Sequence, residues 1–290
     1  MILAVLIGPS TTVVEEPFHA SFSKMPSNRE ISQSENVFQQ KSRYLFVMFS
    51  FEYRAAVALN NMATSMIEHG CYQQAVDTMK DAAVAMQTLA APEEEKSEWQ
   101  RQKPREMIKR MLDNAQFCKA NPAVANNYVP VRVVSHDVAF RQAHLHLERC
   151  PLVHCMIRIE AQELFLDEQD LHLPSAIILY NLALACFCQA KNDLTLEQAV
   201  KHQSNAITFL RYSLLLLKRR LQAERVITLH LSSEVGVAVM VLQELVISLV
   251  VTGQMDDTVM CSREHADLSW TANALKVLHN SECSAPAPAA

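Results

Sequence analysis

The chain has 290 residues, half of them apolar, with a formal net charge of −5 and a sequence pI near 6.1. That length can bury a large core as one domain or two, and the scattered basic residues argue against nucleic acid as a main partner. Four glycines, Gly8, Gly70, Gly236 and Gly253, are too few for the tight βα loops and phosphate-cradling turns of nucleotide-binding α/β folds, so a mostly helical protein is expected.

The opening "MILAVLIG" is apolar but has no basic segment before it and stops at Gly8-Pro9, unlike a secretory signal. It leaves open a reading as a peripheral membrane or organelle-targeting element. Residues 1–40 mix Pro, Ser, Gln and Asn with little periodicity, and a poorly ordered segment is expected there. From Ala55 to Gly70, Leu59, Met62, Ala63, Met66 and Ile67 recur at the spacing of one buried helix face, and Gly70 caps that helix. A second helix opens at Tyr72 with Ala75, Val76, Met79, Ala82 and Ala83 on one side. Small residues at Ala63 and Ala75 let the two helices approach closely.

The stretch "LNNMATSMIEHGCYQQAVDTMKDA" resembles a tetratricopeptide repeat, a helix-turn-helix unit of about 34 residues. Leu59, Met62, Ala63 and Met66 match its first helix, Gly70 and Tyr72 its turn, and Ala75, Met79 and Ala82 its second helix. Gln87 stands where the family usually has proline. "LYNLALACFCQAKNDLTLEQAVKHQSNA" is similar through Leu179, Leu182, Ala183, Cys186, Ala199 and Ala206, with a longer turn. "LQELVISLVVTGQMDDTVMCSREHA" is similar through Leu242, Leu245, Val246, Leu249 and Gly253 but carries Thr258, Ser262 and His265 in its second helix. The fold expected from this resemblance is all-α, an antiparallel helix-pair superhelix with a partly extended insertion and disordered termini. Its domain plan is 1–40 poorly ordered, 41–120 the first unit and a following helix, 121–174 a loop-rich insertion, 175–280 the second and third units, and 281–290 a tail.

In the stretch between the first two units, "APEEEKSEWQRQKPREMIKRMLDNAQFCKA" reads as a charged linker and an amphipathic helix with Met107, Ile108, Met111, Leu112 and Ala115 inward. The carboxylates Glu93, Glu94, Glu95 and Glu98 belong to that solvated linker. Extended pieces are expected near Tyr128 to Val134 and Met156 to Ile159. The apolar run from Val235 to Val251 carries Gln243 and Glu244 and falls short of the ~20 residues of a membrane span, so a buried helix and no transmembrane segment are expected. Lys218, Arg219 and Arg220 end the run "FLRYSLLLL" as cations at a helix C-terminus do.

Chemistry has few candidates. "HLHLERCPLVHC" gathers His144, His146, Cys150, His154 and Cys155, soft ligands that suit zinc, but in a spacing unlike the familiar structural-zinc patterns. Cys186 and Cys188 point about 200° apart around a helix and cannot clamp one ion. No serine or thiol sits in a motif that supplies a base. No enzyme, metal or cofactor is therefore expected. Eight scattered cysteines suggest thiols in a reducing compartment, cytoplasmic or another intracellular one.

The repeat resemblance implies a concave surface lined by the first helix of each unit. That groove would carry Val57, Asn60, Asn61 and Thr64, then Ile177, Tyr180, Asn181 and Leu184, then Met240, Gln243, Glu244 and Ile247. The family's chaperone-binding members place Lys and Arg at such positions. Here an amide-lined, slightly acidic groove is implied, suited to the backbone of an extended peptide. Asn61 and Asn181 recur at matching positions, which places them toward a ligand, because a buried amide would need partners. The function expected is a non-enzymatic adaptor for a protein or peptide ligand. The alternative is a metal- or thiol-dependent protein using the His/Cys cluster.

Overall fold

The computed structural model describes residues 52–90, 98–120, 129, 131–135, 154–160, 171–193, 195–223 and 232–283. Residues 1–40, the linker carboxylates Glu93 to Glu95, the trio His144, His146 and Cys150, and the final residues 284–290 lie outside these. The described residues are mostly helical, with seven helices and two short strands. They are α1 (52–68), α2 (Tyr72–Ala90), α3 (Glu98–Ala120), β1 (Val131–Ser135), β2 (His154–Arg158), α4 (His172–Ala190), α5 (Leu196–Ala223), α6 (Ser232–Val251) and α7 (Met255–Cys283).

Two of the helix pairs are joined by the same backbone device. Gly70 takes φ 75°, while the Cys71 amide donates to the Met66 carbonyl at 2.9 Å and the Gly70 amide to Ile67 at 2.9 Å. These bonds satisfy the last carbonyls of α1 and turn the chain back, a geometry that the left-handed glycine permits. Gly253, at φ 74°, repeats it between α6 and α7, with Gln254 donating to Leu249 at 2.9 Å and Gly253 to Val250 at 3.1 Å. The α4–α5 turn has no glycine. Lys191 stays right-handed there, and side chains close the turn: Asn192 Nδ2 donates to the Cys188 carbonyl at 2.9 Å and Gln189 Nε2 to Asp193 at 2.8 Å.

The helices pack in a row. α3 lies on α2, α2 on α4, α4 on α5, α5 on α6 and α6 on α7. Where α1 meets α2, Ala63 and Ala75 are both fully buried and Thr78 donates to Met66 Sδ at 3.6 Å. Charged pairs tie the later helices together: Lys218 to Glu264 at 2.6 Å, Arg220 to Glu234 at 4.0 Å, and Arg211 to Asp257. Two of the three cations at the end of "FLRYSLLLL" thus hold neighbouring helices, and α5 continues past them to Ala223. α4 and residues 234–251 of α6 are long and apolar enough to cross a membrane by length and composition, and 83% and 72% of these stretches are buried inside the structure.

One expected facing differs. α3 buries Pro104, Met107, Met111 and Cys118, a three-and-four stripe, which turns Leu112 outward at 50% exposure. Leu112 sits about 100° around the helix from Met111, so both cannot face the same neighbour.

β1 and β2 pair in parallel, from Val131 opposite His154 to Ser135 opposite Arg158. They overlap the extended pieces read from the sequence. β2 packs against α4, and Cys155, Met156 and Ile157 are buried.

Candidate functional site

An asparagine side chain carries a carbonyl and an NH2 group, the same donor and acceptor that a peptide group offers. Placed beside a strand, it can stand in for a neighbouring strand. Asn181 does this to Ile157: its Oδ1 accepts from the Ile157 amide at 2.9 Å and its Nδ2 donates to the Ile157 carbonyl at 2.6 Å. Asn61 repeats the grip at Ile159, accepting from the amide at 3.0 Å and donating to the carbonyl at 2.8 Å. Residues two apart present their backbone groups on one strand edge. The amides of α1 and α4 therefore hold one edge of β2 and its following residue, leaving the other edge to β1.

Asn60 links the two grips. Its Oδ1 accepts from Asn181 Nδ2 at 2.9 Å, and its Nδ2 donates to Asn61 Oδ1 at 3.1 Å and to the Ile157 carbonyl at 3.2 Å. Asn60 and Asn181 are fully buried, where each unmade bond would carry the full desolvation cost.

Both ends of the strand are held by charge. Arg158 Nη2 donates to Glu68 Oε2 at 3.0 Å and to Ser65 Oγ at 3.0 Å, and its Nε to Thr64 Oγ1 at 3.5 Å. At the other end His154 Nδ1 lies 3.2 and 3.3 Å from the Glu244 oxygens on α6, and Lys191 Nζ donates to His154 Nε2 at 3.3 Å. Because an ammonium can only donate, Nε2 accepts, and the Nδ1 proton goes to Glu244. The imidazole stacks on Phe187, with ring centroids 6.5 Å apart and planes 9° from parallel. Three helix pairs thus touch one strand.

Of the twelve groove residues read from the sequence, Asn60, Asn61, Thr64, Asn181 and Glu244 contact this segment. Val57, Tyr180 and Leu184 are buried in the core, and Gln243 is half-buried on α6. The other three stand similarly: Ile177 and Met240 are buried and Ile247 is half-buried. The partner of the recurrent amides is the chain's own strand. Sequence reasoning missed Ser65, Glu68, Phe187, Lys191 and Arg158; the recurrence of Asn61 and Asn181 beside an extended "MIRI" was the signal that could have joined them. A cleft of about 560 Å³, lined by Asn61, Glu68, Val133 to Ser135 and Arg158 to Glu160, opens at the strand ends.

Burial pushes Cys155, Cys186 and Cys188 up to about 12, with Glu244 adding to the effect at Cys155 and Cys188. The Tyr180 hydroxyl is raised well above its ordinary value by burial and then by Glu244. His154 and Cys155, neighbours on a strand, point to opposite faces. Among the described residues no three His, Cys, Asp or Glu side chains gather to hold a metal ion.

These observations define a mostly helical chain of packed helices with a two-stranded sheet, one strand of which is held by side chains of α1, α4 and α6. No protein-family model, curated protein or solved structure matches the chain.

Proposed function

We propose that this protein is a non-enzymatic adaptor, built from three helix pairs of tetratricopeptide type, that captures an extended protein segment in the amide-lined groove. The observation that carries this reading is the paired grip on Ile157 and Ile159, two residues apart, by side chains from two separate helices. Backbone capture of that kind accepts any extended segment, and the groove's own strand occupies the place by being tethered to it. An incoming segment exchanges with β2, against the advantage that tethering gives a resident strand.

The test is a fluorescently labelled peptide of residues 151–161, with serine in place of Cys155, titrated into the full chain and followed by anisotropy. Saturable binding is expected. Methylating the peptide nitrogens equivalent to Ile157 and Ile159 deletes the donors that Asn181 and Asn61 accept from, and should weaken binding by at least about tenfold. Equal binding of the methylated peptide, or no binding of either peptide, would overturn the reading.

A further inference from the structure

The amides read backbone, which every protein shares, so selectivity must come from the side chains of the bound segment. We infer that the groove selects an extended segment with an imidazole at one position, a buried apolar side chain two residues on, and a guanidinium two further on. This rests on the groove being a capture site for extended segments.

His154, Met156 and Arg158 share one face of β2, and four residues of strand put its ends about 13 Å apart. Glu244 on α6 stands at one end and Glu68 on α1 at the other, with Met156 fully buried between them. At the first position the site needs a group that donates to Glu244 and accepts from Lys191. Neutral imidazole does both. Lysine and arginine cannot accept, and would bring a second cation against Lys191. At the last position Glu68, Ser65 and Thr64 present acceptors to both the Nε and the terminal nitrogen of one side chain. A guanidinium reaches all three, whereas an ammonium is a single point of charge. The partner class is therefore an extended segment of the pattern His-x-apolar-x-Arg.

The experiment exchanges the charge. Glu68 leaves 37% of its side chain exposed, so a substitution there should leave the core intact. A Glu68→Arg chain repels its own Arg158, which loosens β2, and should bind the 151–161 peptide carrying Arg158→Glu at least about tenfold more tightly than the parent peptide. The unaltered chain should show the reverse order, and a peptide carrying His154→Lys should bind it more weakly than the parent. Should Glu68→Arg lose the parent's circular dichroism, Glu68→Gln serves instead and should shrink the unaltered chain's preference for the parent peptide over the Arg158→Glu peptide, with Ser65 and Thr64 keeping the remainder; an undiminished preference would overturn the charge selection. Equal affinity of the Glu68→Arg chain for both peptides would overturn the charge selection while leaving backbone capture standing. No binding of either peptide to either chain would overturn both.

Discussion

Replacing Asn181 with alanine removes three hydrogen bonds at once: those to the Ile157 amide, the Ile157 carbonyl and Asn60 Oδ1. The losses are unequal. The Ile157 carbonyl keeps Asn60 Nδ2 at 3.2 Å, but the Ile157 amide loses the acceptor that Asn181 provides, in a place where Ile157 itself is fully buried. An unpaired buried donor costs about 1–3 kcal/mol and the lost amide-to-amide bond about 1 more, so Asn181→Ala should destabilise by about 2–4 kcal/mol. With a urea slope of about 3 kcal/mol/M, the midpoint falls by about 1 M while the slope is unchanged. Equilibrium urea unfolding followed by circular dichroism at 222 nm gives both quantities. A midpoint within about 0.2 M of the parent would refute the claim that this amide holds the strand.

Asn61→Ala should cost less than Asn181→Ala in the same assay, because Asn61 is only partly buried. Ala75→Arg forces a long cation into the fully buried contact between α1 and α2, where overpacking alone costs about 1–3 kcal/mol, and should lower the melting temperature clearly; melting like the parent would separate those helices. Burial holds His265 below its ordinary value, and its Nε2 has no hydrogen-bond partner among the described residues; His172 is likewise lowered by burial and then by Arg219 and Arg220. Both therefore bind protons less readily folded than unfolded, so stability should decline as pH falls below about 6.5, and His265→Gln should flatten that decline in melting curves between pH 7 and 5. A brief iodoacetamide pulse at pH 8, read by peptide mass spectrometry, should leave Cys118, Cys155, Cys186 and Cys188, all pushed up to about 12, largely unmodified until denaturant is added.

The helices were legible because apolar residues recur at three and four along them and because Gly70 and Gly253 mark left-handed turns. Leu112 was misplaced because periodicity alone gives two adjacent apolar positions and cannot say which faces the neighbour. The amides were legible as an unusual recurrence, but their partner was not. Asn61 meets Ile159 across 98 positions of sequence, and nothing in the hydrogen-bonding capacity of an amide tells a foreign backbone from a distant part of its own. The pairing of His154 with Glu244 depends on the same long return and carries no local trace.

A row of helices that lean only on their neighbours should open from its ends, one pair at a time, with a stability that grows unit by unit. β2 changes that expectation, because one short strand is fastened to α1 through Asn60, Asn61 and Glu68, to α4 through Asn181, and to α6 through Glu244. Loosening either end pulls on the same strand, so the row should unfold as one cooperative body, with the Ile157 and Ile159 amides exchanging hydrogen as slowly as those in the middle of α4. Folding inherits the opposite burden. Helices can form and pair from local contacts, whereas the clasp closes only once Asn61 and Ile159, 98 positions apart, have met, so helical signal should precede protection of β2 in a pulse-labelling experiment.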